Sequence, residues 1–529
     1  MPKNNLFYKF IKQMSKPVLR FKKREKTVDS SQNTKEEVNI GTANLYNSSR
    51  EKIFKADELS SFDEHYVCGL KDEDSIIKYV NKYFVVVTGG TKIMFCELSF
   101  KNEKIDKVIQ RNKKETRIRM DDCNVEIRIE KGDTIRKKSV NVFDIWCKNP
   151  ERRKVERIDF VPYTIHAPRI DDNKVLNIFG GFKARIRDDR YKLDYSGIYP
   201  ILKHIKEVWC SGDEYIYDYV IGWLAQLFQR PDLKPGVCLV LKSERQGAGK
   251  SMIVNFLQDY VMGNEYCRIV SNLDRVFERF NSMSEMSLLT CCEEVGNKGG
   301  MYKMSDQFKE LITGSKKTVE KKFLDAVQIR DYQRYILFSN NDWIARVEAG
   351  ERRYFCHEVS DKYVGNNKYF EDLVGSCFND ECGELLLNYL LMIDLEKVNL
   401  RNIPMTKWRR DLMMRNCDDI LKSLIDFLRD NEEDKSTSFH VTEIYKYYKG
   451  DEKSIKTYNT ELKKYLSGIE LKRDIRKNGV KRVAYVGTSI GDMCDKVRKY
   501  LRDPGFSFEK EDDMFGDGDD LLLESDDEI

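Results

Sequence analysis

An α/β fold with a parallel sheet is what residues 235–360 predict, and three observations carry that reading. Apolar runs of strand length recur within 237–251, 287–295 and 335–341. The first of them breaks into a glycine-rich turn, and helical spacing follows that turn from Met252 to Val261. Strands alternating with helices call for a parallel sheet covered on its faces by helices. Around this core, composition predicts an α+β region before it and a helical, winged-helix-like region after it.

The first run reads Val-Cys-Leu-Val-Leu-Lys-Ser-Glu-Arg-Gln-Gly-Ala-Gly-Lys-Ser. A buried strand that opens into such a turn and then into a helix presents backbone N–H groups to phosphate oxygens. Gln246, Gly247, Ala248, Gly249, Lys250 and Ser251 form this phosphate-binding loop. Lys250 is expected at the β- and γ-phosphates and the Ser251 hydroxyl on Mg²⁺. The usual pattern has a glycine six residues before the lysine, where this chain has Glu244.

The second run, Ser-Leu-Leu-Thr-Cys-Cys-Glu-Glu-Val, ends in two adjacent carboxylates. Nucleotide hydrolysis needs one acid to orient Mg²⁺ and another to activate the attacking water. Glu293 is assigned the first role and Glu294 the second. The third run ends in Ser339-Asn340-Asn341, and the Asn340 amide is placed to sense the γ-phosphate or position the lytic water. Gly-Glu-Arg-Arg-Tyr-Phe at 350–355 then puts Arg352 and Arg353 on a loop. An arginine offered across a subunit interface stabilises charge on a transferred phosphoryl group, and Arg353 is the first choice for that role and Arg352 the second.

The order and spacing of these four motifs resemble the superfamily 3 helicases, in particular the helicase domain of poxvirus-type and phage-type primase–helicases. Trp223-Leu224-Ala225 and Gln229-Arg230-Pro231 look like the family's helix before the first core strand. Phe308 to Gly314, with Glu320-Lys321-Lys322 following, looks like the motif between the acidic pair and the sensor strand. Ser339-Asn340 matches the sensor, and Arg352-Arg353 before Tyr354 matches the arginine-finger box, with Glu351 where the family commonly has Asp. The resemblance covers residues 195–360 well and 60–195 loosely. It implies an AAA+-like P-loop ATPase core, ATP and Mg²⁺ as cofactors, a homo-oligomeric ring (a hexamer) and a single-stranded nucleic acid partner, DNA favoured. It also places Lys316, Lys321 and Lys322 on a hairpin facing the ring channel.

Bulk charge agrees with a polyanion partner. Formal charge is +4, but the last nineteen residues, Glu511 to Ile529, hold ten acids and no Lys or Arg, so the remainder carries +14. Such an acidic stretch suits either autoinhibition of the basic surface, docking to another basic protein, or plain solvation. The first 24 residues contain eight Lys/Arg and no acids among aromatic side chains. That pattern suits a disordered basic arm, a membrane-surface helix or a targeting segment. Fourteen cysteines lack a Cys-x-x-Cys pair, and several sit inside apolar runs, so they read as small buried hydrophobes in a reducing compartment such as host cytoplasm or nucleus. No apolar run reaches membrane-spanning length.

The chain divides into 1–55 (basic arm and linker), 56–195 (α+β), 196–365 (ATPase), 366–432 (helical), 433–490 (winged-helix-like) and 491–529 (ending in the acidic stretch). In the second of these, Tyr83–Val87 and Ile93–Cys96 flank Gly89-Gly90 as a hairpin with glycine at positive φ, and Trp146, Pro162 and Gly180-Gly181-Phe182 act as punctuation. No acid-pair-plus-histidine pattern of a primase site occurs there, so a primase or polymerase is expected from another chain. Residues 198–230 read as two helices. In the fifth region, Phe439, Ile444, Tyr445 and Tyr448 read as one helical face and Leu462, Tyr465 and Leu466 as another. A basic hairpin from Lys472 to Val486 turns at Asn478-Gly479 and carries Lys477, Lys481 and Arg482, a nucleic-acid-binding wing or a solvated hairpin.

Two functions fit this pattern. One is an ATP-driven replicative helicase of a virus or mobile element. The other is an ATPase of the same fold acting as origin-binding loader, packaging motor or assembly factor without unwinding. The lysines at 316–322 discriminate between them, because a motor needs cations facing the strand it moves on.

Overall fold

The computed structural model describes residues 59–508 apart from 91, 102–103, 132–133, 168–173, 278–285, 295–299, 320–326, 341–346 and 478. Five short, strongly apolar strands form the central sheet: β1 (Cys238–Lys242), β2 (Cys267–Asn272), β3 (Leu289–Glu294), β4 (Arg334–Ser339) and β5 (Tyr354–Glu358). All pair in parallel, in the order β2-β3-β4-β1-β5. Alternation along each strand sends side chains to two cores. Leu239, Leu241, Cys291, Ile336 and Phe338 join one, and Cys238, Val240, Cys292, Leu337 and Tyr354 join the other. Both faces are therefore dry, which is why these runs read as continuously apolar.

The first face is covered by α1 (Tyr199–His204, continued by a π-turn at Ile205–Trp209), α2 (Glu214–Gln229) and α3 (Lys250–Phe256). α2 buries twelve of its sixteen residues, as a helix apolar on all sides must. It is the expected helix before the first core strand, and α1 with α2 makes the expected pair over 198–230. The second face meets helices Gly300–Thr313, Lys407–Arg415 and Asp419–Asp430, then the module of residues 438–501. Fully buried Arg334 ties the start of β4 to the end of α2, bonding the Arg230 and Leu233 carbonyls at 2.7 and 2.5 Å.

Residues 59–155 form a unit with its own core, including Tyr83, Phe84, Phe143 and Trp146. Its sheet runs Lys104–Arg111, Met94–Lys101, Phe84–Val87 and Lys154–Val155. The predicted hairpin is present, with Phe84 opposite Glu97 and Val87 opposite Met94. Its glycines serve a different end from the one expected. Neither has positive φ; Gly89 is needed because a Cβ there would lie 2.4 Å from the Glu156 carbonyl. Trp146 is core rather than punctuation: it is fully buried in the helix Val142–Lys148, its indole N–H bonded to Asn81 at 2.8 Å. From Phe160 onward, Phe160, Phe179 and Phe182 pack into the first core of the central sheet.

The C-terminal module is a three-stranded sheet, Ser438–His440, Val480–Val486 and Glu470–Lys477, with helices Val441–Tyr445 and Ile455–Leu462. Phe439 lies in the first strand, opposite Tyr485, and not on a helix as predicted. Strand alternation and the onset of a helix at Val441 place it and Ile444 in one core by different geometries. Gly479, at φ 79°, turns the basic hairpin as expected. An amphipathic helix at Ile490–Leu501, opened by a Ser489–Asp492 capping box, then buries Met493, Val497 and Leu501. No helix among the described residues is long and apolar enough to cross a membrane. The fourteen cysteines are free.

Candidate nucleotide site

Strand register levels the carboxyl ends of three neighbours, because Cys292 lies opposite Leu337 and Leu337 opposite Val240. The chain leaves β1 toward one edge of the sheet and leaves β4 toward the other. Ligands of open α/β sheets bind at such a change of direction, outside the strand ends. The loop Ser243–Gly249, Asn340 and the ends of β3 gather there.

Gly247 and Gly249 adopt φ of 80° and 83°, left-handed values at which a side chain is strained. At Gly249 space is also closed: a Cβ would sit 2.7 Å from Phe370 Cε1 and 2.9 Å from His204 Cε1. His204 holds this turn from beneath. Its Nε2 lies 3.1 Å from the Gly249 carbonyl and its Nδ1 3.0 Å from the Tyr369 hydroxyl. A carbonyl only accepts, so Nε2 carries the proton and Nδ1 accepts from the tyrosine. Burial lowers the pKa of His204, which keeps this neutral tautomer in place. Five residues on, the Trp209 indole N–H donates to the Lys250 carbonyl at 3.0 Å. The π-turn of α1 brings positions five apart onto one side, so one helix fastens both ends of the Gly249–Lys250 step.

Lys250 opens α3 and turns its ammonium toward β4. Nζ donates to Asn340 Oδ1 at 2.6 Å, to the Ser339 carbonyl at 3.0 Å and to the Ser243 hydroxyl. Ser243 Oγ itself lies 3.1 Å from Asn340 Oδ1. All these partners are neutral. Burial lowers the lysine pKa to about 8, opposed by Asp361. An anion at this point would relieve the desolvated ammonium. Asp361 adds a buried Oδ1 with no hydrogen-bond partner and pairs with Arg245 at 3.8 Å.

The predicted loop and sensor residues are thus brought together. Gln246 is exposed, Ala248 buried and Ser251 half-buried on the first turn of α3. Glu293 and Glu294 are the last residues of β3, two strands from β1 and so about 10 Å away. Glu293 is exposed; the Glu294 side chain lies outside the described residues. The arginine pair divides. Arg353 is held within the chain, its guanidinium 3.2 Å from buried Glu351, whose Oε1 also accepts from the Arg352 and Arg353 amides at 2.8 and 3.0 Å. Arg352 is exposed.

The lysine-rich segment has hairpin strands, Lys316–Val319 against Val327–Arg330. Lys316 is exposed, while Lys321 and Lys322 lie outside the described residues. Lys317 is buried at the hairpin root, 3.4 Å from Asp331, which also takes Lys234 at 2.8 Å. On the C-terminal basic hairpin Lys481 and Arg482 are exposed, and the Lys477 side chain lies outside the described residues.

Sequence reasoning missed Ser243, His204, Trp209, Tyr369 and Asp361. Ser243 was within reach, as the first polar residue after an apolar strand. The others contact the loop only through tertiary structure.

Fold and site together define an α/β protein with a glycine-rich, lysine-bearing loop at the carboxyl end of a parallel sheet. A family of unknown function (DUF5906) matches residues 241–353, the stretch from the end of β1 to the arginine pair. The chain is 21% identical over 215 residues to a DNA primase-polymerase of Nitratiruptor phage NrS-1, a match covering 40% of this chain and 29% of that protein. The chain thus spans less than a third of the length of this relative. Two apo structures of the NrS-1 C-terminal region each superpose with a TM-score of 0.53 at 16% identity, over 79% of this chain and all of that region. At that identity the likeness is one of fold.

Proposed function

We propose that the chain is an ATP-dependent helicase, an oligomeric ring that moves on single-stranded nucleic acid, DNA favoured, during replication of a virus or mobile element. The observation that carries this reading is the convergence of Lys250, Ser243 and Asn340 on one point at the ends of β1 and β4. A half-buried, partly desolvated ammonium with only neutral hydrogen-bond partners fits a phosphate group. Residues 246–251 would hold the phosphates of ATP, with Ser251 and Glu293 holding Mg²⁺, which supplies charge neutralisation on the phosphate oxygens. Glu294 would orient the attacking water.

Arg352 is the better finger of the two arginines, since Arg353 is engaged by Glu351. The finger acts on a neighbour's nucleotide, which makes hydrolysis dependent on assembly. The lysine hairpin, rooted on buried Asp331, would carry Lys316, Lys321 and Lys322 to the strand. Similarity to a phage DNA primase-polymerase favours a role in viral replication, with primase or polymerase activity supplied elsewhere.

Unwinding of 3′-tailed and 5′-tailed duplexes tests the reading. ATP-dependent strand separation on one tail polarity is expected. Hydrolysis without unwinding of either substrate would move the assignment to a loader or packaging ATPase.

A further inference from the structure

A cavity of about 170 Å³ is lined by the arginine loop together with residues from 401–413 and 501–502, none of them from the phosphate-binding loop, and its lining carries more arginines than acids. Arg352, Arg401, Arg409 and Arg502 face it, against the carboxylates of Glu348 and Glu351. Glu351 is already taken up by the amides of the loop and by Arg353. Arg409 is buried, its terminal nitrogens bonded to the Glu351 and Ile403 carbonyls at 2.5 and 3.0 Å, and its Nε is buried without a partner. Arg502 ends the C-terminal helix at φ 56° and lies against the loop, its Nε 3.2 Å from where a Gly350 Cβ would be. The lining thus sets four arginines against two carboxylates, one of them already engaged by Arg353, an excess of positive charge that suits a carboxylate ligand.

We propose that this cavity takes up the acidic segment 511–529 of the same chain. Charge complementarity is one argument: that segment carries ten acids and no Lys or Arg. Proximity is the other. The last described residue is buried Phe508, whose ring lies 5.3 Å from Arg498, one helical turn before Arg502. Glu511 follows three residues later, and extended chain covers that in about 10 Å. A docked carboxylate would engage Arg352 and hold it from a neighbouring subunit, so the segment restrains hydrolysis until something basic removes it. That consequence rests on the function proposed above; the docking itself does not.

The test uses the full chain with Met514→p-benzoyl-phenylalanine, irradiated without nucleotide and mapped by peptide mass spectrometry. Adducts are expected within residues 347–352, 401–405 and 501–502, in the chain that carries the probe. Their yield should fall at least about fivefold in roughly 0.5 M salt, where charges more than a few ångströms apart are screened. It should fall similarly when Arg401→Glu and Arg502→Glu are combined. Asn substitutions at Glu511, Asp512, Asp513 and Asp517, which leave the folded body untouched, should do the same. Adducts confined to the 472–486 hairpin or the first 24 residues, adducts between chains, or none at all would overturn the proposal. Because the cross-link needs no ATP, its failure would leave the ATPase reading intact, and absent hydrolysis would leave the docking intact.

Discussion

Lys250, the lysine proposed to hold phosphate, works against the fold that holds it. Its pKa is lowered from 10.5 to about 8 by burial, so below pH 8 the side chain is charged in both folded and unfolded states and the burial penalty is fully present. The penalty is relieved only as pH rises from about 8 toward 10.5 and the folded side chain gives up its proton. Lys250→Met, which keeps the aliphatic stem, should therefore stabilise the nucleotide-free protein at neutral pH by about 1 kcal/mol after allowing for solvent screening. A lower thermal midpoint for the variant would contradict this account of the site. At Glu294 the expectation differs: Glu294→Gln should keep nucleotide binding and lose turnover, and near wild-type turnover would shift the role to Glu293. The loop residues were legible because glycine, lysine and serine at fixed spacing have a backbone reason to be there. His204 was not legible. It sits among Ile201, Leu202 and Ile205, all buried, and only the π-turn reveals that it faces Gly249.

At the scale of elements, the arginine loop and the lysine hairpin carry the predictions. If Arg352 reaches a neighbour's nucleotide, Arg352→Ala should lower hydrolysis by about 10³-fold, and mixing it with Lys250→Ala subunits should restore part of the rate. Mixed assemblies that form yet stay inactive would mean that the arginine acts within its own subunit. The hairpin root makes a separate prediction. Asp331 balances two buried lysines, so Asp331→Asn should destabilise the protein by roughly 3–5 kcal/mol, read by denaturant unfolding. A change under 1 kcal/mol, the value typical of exposed ion pairs, would show that the pairs are not truly dry. Element types were mostly legible from period and glycine placement. The exceptions are instructive: Phe439 was misread because three residues of strand run directly into a helix, and a short strand has too few alternations to register. Gly89 was read as a positive-φ residue, but its real constraint is the Glu156 carbonyl, brought against it from far along the sequence.

For the whole molecule, the succession of strands and helices was legible but the sheet order was not, since β1 meets β4 and β5 only through contacts a hundred residues apart. The same long-range packing makes stability pH-dependent. His357 lies on β5 with its Nε2 buried and unpartnered, and burial lowers its pKa from 6.5 to about 4. The unfolded chain binds the proton first, so this contribution is intact above about pH 6.5 and is lost as pH falls toward 4. Buried His204 acts in the same direction. Between about pH 7 and 5.5 His357 should remove roughly 1 kcal/mol, and His357→Gln should flatten the profile by that amount. Equal slopes for the two proteins would contradict the burial argument. The central claim is that the loop after β1 is a working ATP site, and steady-state hydrolysis by the assembled wild type and Lys250→Ala proteins tests it most directly. Mg²⁺-dependent ATP hydrolysis by the wild type, reduced by about 10²-fold or more in the variant, is the predicted result. Equal rates in the two proteins, or no hydrolysis by the assembled wild type, would contradict it.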